Sequence, residues 1–559
     1  MHKRLMTAWM LSMSILSSFA AERTPENGFG IVPMPYEAKT KAGKSFLITK
    51  DTVIIGQAEA SKNCASYLQQ RLRKSCGLTL KRKGAASGTS IVLSLSDDAH
   101  AFTENDAYSL ESTAEKIIIA AKTERGLFYG VQSLLQLLPP AVYGDKIQAG
   151  LELKVPALSI KDKPSMDRIR GLHVDISRHF RTKEELLKII DSMAMHKLNT
   201  LHLHLTDDDA WRIEIKAYPK LTTVGAIGSR SNPKAPAQFL TQQDAKEIYT
   251  YAKSRYISII PEIDMPGHIA SAIRAYPDLK NPKELRQPGK VMRGDAQGLE
   301  FAKKVLSEIN ELFDPEYIHI GCDEVNYKVK SEIYSKKELV AFATELSSFI
   351  KNDLKKTPIV WDDAFMHGFH DKGAVVQWWR YGKKYWWKKL KNTVDEEANL
   401  RQQPFILSPA YWTYFDMKNS GTRGGWAKPI SPAQLYNWDP FGDMLGKTEQ
   451  TRKLVVGAIA CTWSESIKTM KDFGDRTYPR LASFSERTWR GGKLEAPSIL
   501  SWPDYRDQVL IPFQLKRYDA LGVWYWSKDK PQMLLDLPDT HKKLATKAPT
   551  KKSPKKTKK

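Results

Sequence analysis

The sequence predicts an α/β protein in which a (β/α)8 barrel follows a smaller α+β domain. Three observations lead there. From about residue 167, eight short apolar segments alternate with amphipathic helical ones. Charged residues gather where six of those segments end, and residues 21–165 carry a different rhythm of short β-rich runs and helices. At 559 residues the chain is too long for one ordinary domain and suits a barrel with one companion.

In chain order, residues 1–20 read as an export signal. Lys3 and Arg4 precede an apolar run from Leu5 to Phe19, and small Ser18 and Ala20 suit cleavage after Ala20. The run is shorter than the ~20 residues that span a bilayer, and no later stretch qualifies, so no transmembrane segment is expected. The product is expected outside the cytoplasm: periplasmic, at the cell surface or extracellular.

Residues 21–165 form the α+β domain, with strand-like SIVLSLS and KIIIAAK and helical ASYLQQRLRKS and GLFYGVQSLLQLL. Pro156 and the KDKP segment ending at Pro164 mark its end. The barrel is assigned to residues 166–520. Its strands are expected at 168–176, 200–207, 257–264, 317–324, 358–364, 374–379, 404–412 and 454–465. Helical patterns such as KEELLKIIDSMAMHK and AKEIYTYAKSR fall between them, and the tight spacing after the fifth strand predicts a short or irregular helix there. Residues 521–559 are a C-terminal segment ending in a disordered basic tail.

Hydrophobic residues at 42% exclude a disordered protein. The net charge of +23 is partly terminal, because residues 541–559 hold nine lysines and no acid. This tail either adheres to anionic surfaces or is a solvated end without a partner. Nucleic-acid binding is not expected, since no recognition motif accompanies the charge. Of the four cysteines, Cys64 and Cys76 are close enough in sequence to pair, while Cys322 and Cys461 read as small buried hydrophobes. None has metal-site spacing, and no metal or organic cofactor is implied.

The chemistry lies at the strand ends: Asp175, Arg178, Asp207, Asp264, His268, Asp323, Glu324, Asp416 and Glu465. In a barrel of this kind the loops after the strands form the active face. The sharpest cluster is His319-Ile320-Gly321-Cys322-Asp323-Glu324. Two adjacent carboxylates repel, so one of such a pair holds its proton above the usual range, which suits a general acid. An ordinary retaining glycosidase needs two carboxyls ~5–5.5 Å apart across the scissile bond. Neighbours on one strand do not straddle a sugar that way, but they serve if one protonates the leaving oxygen while the other steers a nucleophile carried by the substrate.

From about residue 30 to 515 the chain resembles the family 20 glycoside hydrolases, the β-N-acetylhexosaminidases. The family's His-x-Gly-Gly-Asp-Glu is matched by His319 to Glu324, with Cys322 in place of the second Gly. Arg170-Gly171 through Asp175, Arg178, His179 and Phe180 resembles its first-strand motif. His202-Leu203-His204-Leu205-Thr206-Asp207-Asp208 resembles the second, and Pro261-Glu262-Ile263-Asp264-Met265-Pro266-Gly267-His268 the third. Residues 107–138 are similar to the small domain that precedes the family's barrel.

The resemblance implies an exo-acting, retaining hydrolase of terminal β-linked N-acetylglucosamine or N-acetylgalactosamine, working through an oxazolinium intermediate. Glu324 is then acid and base, and Asp323 holds the acetamido N–H. Tyr414 bonds the acetamido oxygen, and Asp207 with His268 backs Glu324. Trp361, Trp379 and Trp463 wall the sugar, with Trp378 able to exchange roles with Trp379. Arg178, Asp416 and Glu465 bind hydroxyls.

Two departures stand out. The family commonly reads Asp-Asp-Gln-Gly-Trp where this chain has Asp207-Asp208-Asp209-Ala210-Trp211. Asp209 adds charge, and Ala210 stands where a glycine can supply φ > 0. Cys322 is expected only to fill the space of the missing glycine side chain. A family 18 chitinase-like barrel is excluded, because HIGCDE lacks that family's Asp-x-x-Asp-x-Asp-x-Glu. A same-fold lacto-N-biosidase-like or sulfated-sugar hydrolase is the near alternative. A binding-only barrel predicts loss of the acid or its partner, yet Asp323, Glu324 and Tyr414 are present.

Overall fold

The computed structural model describes residues 22–56, 61–82, 88–96, 104–285, 289–326, 333–380, 394–421, 427–442, 449–491 and 500–537. Residues 1–20, read above as an export signal, and the basic tail 541–559 lie outside these residues. Among the described residues no helix is long and apolar enough to cross a membrane.

The N-terminal part holds strands β1 (Glu37–Thr40), β2 (Phe46–Leu47), β3 (Val53–Gly56), β4 (Lys81–Arg82) and β5 (Ser90–Leu95). They are followed by β6 (Tyr108–Ser112), β7 (Lys116–Ala121), β8 (Lys154–Val155) and β9 (Leu158–Asp162). Seven of them form one mixed sheet in the order β1-β9-β6-β7-β5-β3-β4, and β2 pairs with β8. The helix Lys62–Cys76 contains both Cys64 and Cys76, which rules out their pairing: twelve residues of helix set them about 18 Å apart. All four cysteines are free.

The helix Glu124–Leu137 is buried on nearly every side from Gly126 onward. It packs on β6 and β7 and touches the barrel through Tyr129, whose ring lies 5.3 Å from Trp489. A helix apolar all round needs cover on both faces, and here the sheet and the barrel provide it.

Eight parallel strands close the barrel in chain order: β10 (Ile169–Asp175), β11 (Thr200–His204), β12 (Ser258–Met265), β13 (Tyr317–Gly321), β14 (Thr357–Trp361), β15 (Val375–Trp378), β16 (Phe405–Leu407) and β17 (Val455–Thr462). Each lies inside its expected segment or overruns it by no more than one residue. Three of the helices between them start on reciprocal side-chain caps. Thr182, Thr241 and Ser335 each bond the third backbone N–H onward, while Glu185, Asp244 or Glu338 bonds back to the cap's own N–H. The helix after β14, Asp362–Met366, is short, as the tight spacing there predicts.

Alternation decides what fills the barrel. Along β11, Leu201 and Leu203 alternate with His202 and His204, and all four are fully buried. The register aligns Asp175, His204, Glu262 and His319 as successive neighbours across β10 to β13. That rung puts a buried carboxylate among histidines inside the barrel.

A buried polar seam joins the two parts. Lys197 Nζ lies 2.8 Å from Asp162 Oδ2, which also accepts from Tyr108 OH at 2.7 Å, while Trp489 Nε1 donates to Asp162 Oδ1 at 2.9 Å. Arg170 donates to Asp106 at 2.8 Å and to Tyr129 OH at 3.0 Å. Removing one partner of a buried ion pair strands the other charge. Lys197→Met is therefore expected to cost about 3 kcal/mol of unfolding free energy in chemical denaturation. Adding Asp162→Asn should recover part of that loss.

Candidate active site

All eleven residues singled out from the sequence follow or end a barrel strand, at one end of the barrel. Arg178 follows β10, Asp207 follows β11, His268 follows β12, and Asp323 and Glu324 follow β13. Trp361 ends β14, Trp379 follows β15, Tyr414 and Asp416 follow β16, and Trp463 and Glu465 follow β17. A cavity of about 290 Å3 is lined by Arg178, Asp207, Asp209, His268, Glu324 and Glu465. Its size is at the lower end for ligand pockets.

Backbone geometry sets the acid pair. A register shift between Glu262 and Met265 interrupts the pairing of β12 with β13. Gly321 then turns at φ +68°, and a Cβ there would sit 1.7 Å from Asp264 Oδ1, so only glycine fits. Cys322 (φ +72°), Glu324 (φ +47°) and His268 (φ +50°) are also left-handed. Cys322 therefore does more than fill a space: it holds a conformation that costs an L-residue roughly 1–2 kcal/mol. Ala210, by contrast, does not adopt positive φ, so no glycine is needed there.

His268 stands between the carboxylates. Its Nδ1 lies 3.4 Å from Asp207 Oδ1, and its Nε2 lies 3.6 Å from Glu324 Oε2 and 3.8 Å from Asp323 Oδ2. Burial opposes the charge on His268, but Asp207, Glu324 and Asp323 outweigh it and hold the imidazolium well above its ordinary range. Asp207 is buried too, yet Arg178 and His268 keep its carboxyl well below the usual range. Burial, reinforced by Asp363, Glu324 and Glu262 against His268, pushes Asp323 up to about 7. Asp323 Oδ1 is buried without a hydrogen-bond partner, as is Asp416 Oδ1. Burial together with Glu465 pushes Asp416 up to about 8.

The aromatic residues form a continuous wall. Trp361 and Trp463 rings are 5.8 Å apart, Trp463 and Tyr414 6.2 Å, and Tyr414 stacks on Trp379 at 6.3 Å. Trp379 Nε1 donates to Asp363 at 3.0 Å, whereas Trp378 is buried against Phe405. That separates the two tryptophans and leaves Trp379 on the wall. Arg178 lies over the Trp463 ring at 5.1 Å and pairs with Asp175 and Asp207 at 3.2 and 2.5 Å. Asp209 lies 3.9 Å from Arg178 and 3.8 Å from Arg230, and burial together with Asp207 lifts its carboxyl to about 6.

The matches to known sequences agree with this geometry. The model of glycosyl hydrolase family 20, catalytic domain, matches residues 168–492, and that of family 20, domain 2, matches residues 29–163. The chain belongs to glycosyl hydrolase family 20. It is 30% identical to a beta-hexosaminidase of Porphyromonas gingivalis over 86% of this chain and 63% of that protein's length. A beta-N-acetylhexosaminidase of Cellulomonas fimi is 29% identical over 89% of this chain and 96% of its own. Among solved structures, the family 20 beta-N-acetylhexosaminidase of Streptomyces coelicolor superposes with a TM-score of 0.77 at 28% identity. It covers 91% of this chain and 99% of its own. A mutant Streptomyces plicatus beta-hexosaminidase with bound product GlcNAc gives 0.76 at 28% identity, over 89% of this chain and 96% of its own.

Several residues of this family 20 barrel make contacts that the motifs did not reveal. Asp363 accepts from Trp379 and, at 3.4 Å, from the Glu324 backbone N–H. Glu262 gathers His173, His202, His204 and His319 around one carboxylate. Its sequence signal is charge at inward positions of otherwise apolar strands. Among the described residues, four groupings bring metal-type ligand atoms within 4.8 Å of one another, two of them centred on Glu262. In those two, both carboxylate oxygens already accept N–H bonds, from His204 and from Trp361.

The titration of the site has a consequence for stability. Asp323 (about 7) and Asp416 (about 8) hold protons in the fold that an unfolded carboxyl releases near pH 4. Burial opposes charge on His204, but Glu262 and Asp207 raise it to about 10 against about 6.5 unfolded. For each, the stabilisation is complete below the unfolded value and is lost as pH rises through the folded one. The thermal midpoint, followed by calorimetry, should therefore fall between about pH 6.5 and 9. Asp416→Asn should make that fall shallower up to about pH 8.

Proposed function

We propose that the protein is an exo-acting β-N-acetylhexosaminidase that removes a terminal N-acetylhexosamine with retention, using the substrate's acetamido oxygen as nucleophile. The observation that carries this reading is the Asp323–Glu324 pair at the end of β13. One carboxylate has an unpartnered buried oxygen, and the other faces an imidazolium. Two retaining carboxylates would have to flank the sugar, and substrate assistance is the known exception for families 18 and 20.

Glu324 gives its proton to the glycosidic oxygen as the C1–O bond breaks, and the acetamido oxygen bonds C1 on the opposite face. Asp323 accepts the acetamido N–H, which makes that oxygen more nucleophilic. Glu324 then takes a proton from water, whose oxygen attacks C1 and breaks the C1–acetamido bond. Two inversions give retention. His268, held by Asp207, keeps Glu324 oriented through both proton transfers. The unpartnered oxygen of Asp416 suits a sugar hydroxyl, and the tryptophan wall suits a sugar C–H face and the acetamido methyl.

The product-bound Streptomyces plicatus relative supports an N-acetylglucosamine subsite. At the mouth, Lys290 pairs with Asp208 at 2.5 Å and Arg230 faces Asp209 at 3.8 Å. Both cations are matched by acids, which favours a neutral sugar over a sulfated one. The composition of residues 1–20 supports export, with a mature N-terminus at Ala21.

The test is release of p-nitrophenol from its β-N-acetylglucosaminide. Glu324→Gln should lower kcat/KM by about 10²–10⁴-fold on a β-linked N-acetylglucosamine disaccharide, whose leaving group needs the proton, and Asp323→Asn should lower it by as much on the p-nitrophenyl glycoside. No turnover by the parent on this substrate or its galactosaminide analogue would overturn the reading in favour of a disaccharide-releasing or binding-only barrel.

A further inference from the structure

We infer that Glu262 and His204 are positioning residues for Glu324, extending the His268–Asp207 support inward as a line of alternating charge. The inference rests on Glu324 being the acid, as proposed above. Glu262 Oε2 lies 2.6 Å from His204 Nδ1, and His204 Nε2 lies 3.0 Å from Asp207 Oδ2. Asp207 Oδ1 is 3.4 Å from His268 Nδ1, and His268 Nε2 is 3.6 Å from Glu324. Five side chains from three consecutive strands and the loops after them thus link the middle of the barrel to the acid.

Burial makes the arrangement costly unless it does something. Glu262 and His204 are both fully buried, and a buried ion pair is often no more stable than apolar residues of the same volume. The pair has geometry that an apolar core lacks. An imidazole with a carboxylate at each nitrogen donates at both ends, so His204 cannot rotate or change tautomer without losing a bond. It therefore fixes one oxygen of Asp207 and leaves the other for His268. The second oxygen of Glu262 accepts from Trp361 Nε1 at 2.8 Å, so the same carboxylate also fixes the wall of the sugar subsite.

The other groups around this line are defined. Glu262 is also faced by His202 at 3.0 Å, His319 at 3.2 Å and His173 at 3.8 Å. His204 is faced by Asp175 on β10 and by Arg178 Nη1 at 3.3 Å, a cation that opposes its charge. His268 is faced by Asp207, Asp323, Glu324 and the buried Asp264.

Leaving-group dependence separates positioning of the acid from a merely structural role. A p-nitrophenolate leaves with little protonation, whereas a sugar alkoxide needs the proton of Glu324. Parent, Glu324→Gln, Glu262→Gln and His204→Asn are compared by kcat/KM on the aryl glycoside and on a β-linked N-acetylglucosamine disaccharide, with circular dichroism confirming the fold. Glu262→Gln and His204→Asn are each expected to lose about tenfold or more on the disaccharide beyond their loss on the aryl glycoside, part of the 10²–10⁴ supplied by a well-placed acid. Equal losses on the two substrates, or none, would overturn the inference while leaving the function standing. An inactive parent, or a Glu324→Gln variant without leaving-group dependence, would instead overturn the reading on which it rests. If neither core variant folds, ¹⁵N spectra of histidine-labelled parent decide: His204 should be an imidazolium at about pH 7, where a free imidazole is mostly neutral, and a neutral His204 overturns the line.

Discussion

Three cations meet on the carboxylate of Asp207, and the site end of the barrel is organised around that meeting. Arg178 approaches at 2.5 Å, His204 from the barrel interior at 3.0 Å, and His268 from the side of Asp323 and Glu324 at 3.4 Å. A carboxylate taken out of water needs such compensation. Each of the three cations also holds something else in place. Arg178 lies over Trp463, His204 bonds Glu262, and His268 faces Asp323 and Glu324. Moving Asp207 would disturb Trp463, Glu262 and the Asp323–Glu324 pair together.

Backbone strain also falls in this region. His268, Cys322 and Glu324 all sit in the left-handed region, and the register shift lies on β12 beside them. Such conformations persist where surrounding bonds over-determine them. Here Cys322 N–H donates to Met265 O at 3.1 Å and to Asp264 Oδ1 at 3.3 Å, while Arg274 secures the neighbouring loop through the carbonyls of Asp208 and Asp209. The strain aims Glu324 at the cavity instead of leaving it to follow the strand.

The barrel is legible in the sequence because buried parallel strands are continuous apolar runs separated by amphipathic helices, and all eight stand in place. Motif order carries the site residues to one end of it. What stays hidden depends on angles that a sequence does not print. The glycine-to-alanine change at Ala210 reads as costly and is not, whereas the glycine-to-cysteine change at Cys322 reads as harmless and falls at φ +72°. Cys64 and Cys76 are near in sequence, but one helix holds them apart. Trp378 and Trp379 differ only by strand alternation and the bond to Asp363. Glu262 is visible as a letter in a motif, but its partners come from four other strands and appear only when the register is known.

The departure at Asp209 shows how a family site absorbs an extra charge. An added carboxylate beside Asp207 would weaken the hold of Arg178 if it stayed fully ionised and unpaired. Two features limit that cost. Burial and the charge of Asp207 raise its proton affinity to about 6, and Arg230 faces it from the far side at 3.8 Å. Arg178 stays much closer to Asp207, at 2.5 Å, than to Asp209, at 3.9 Å, so its primary pairing survives. The new charge is therefore expressed beside Arg230 and not along the line from Asp207 through His268 to Glu324.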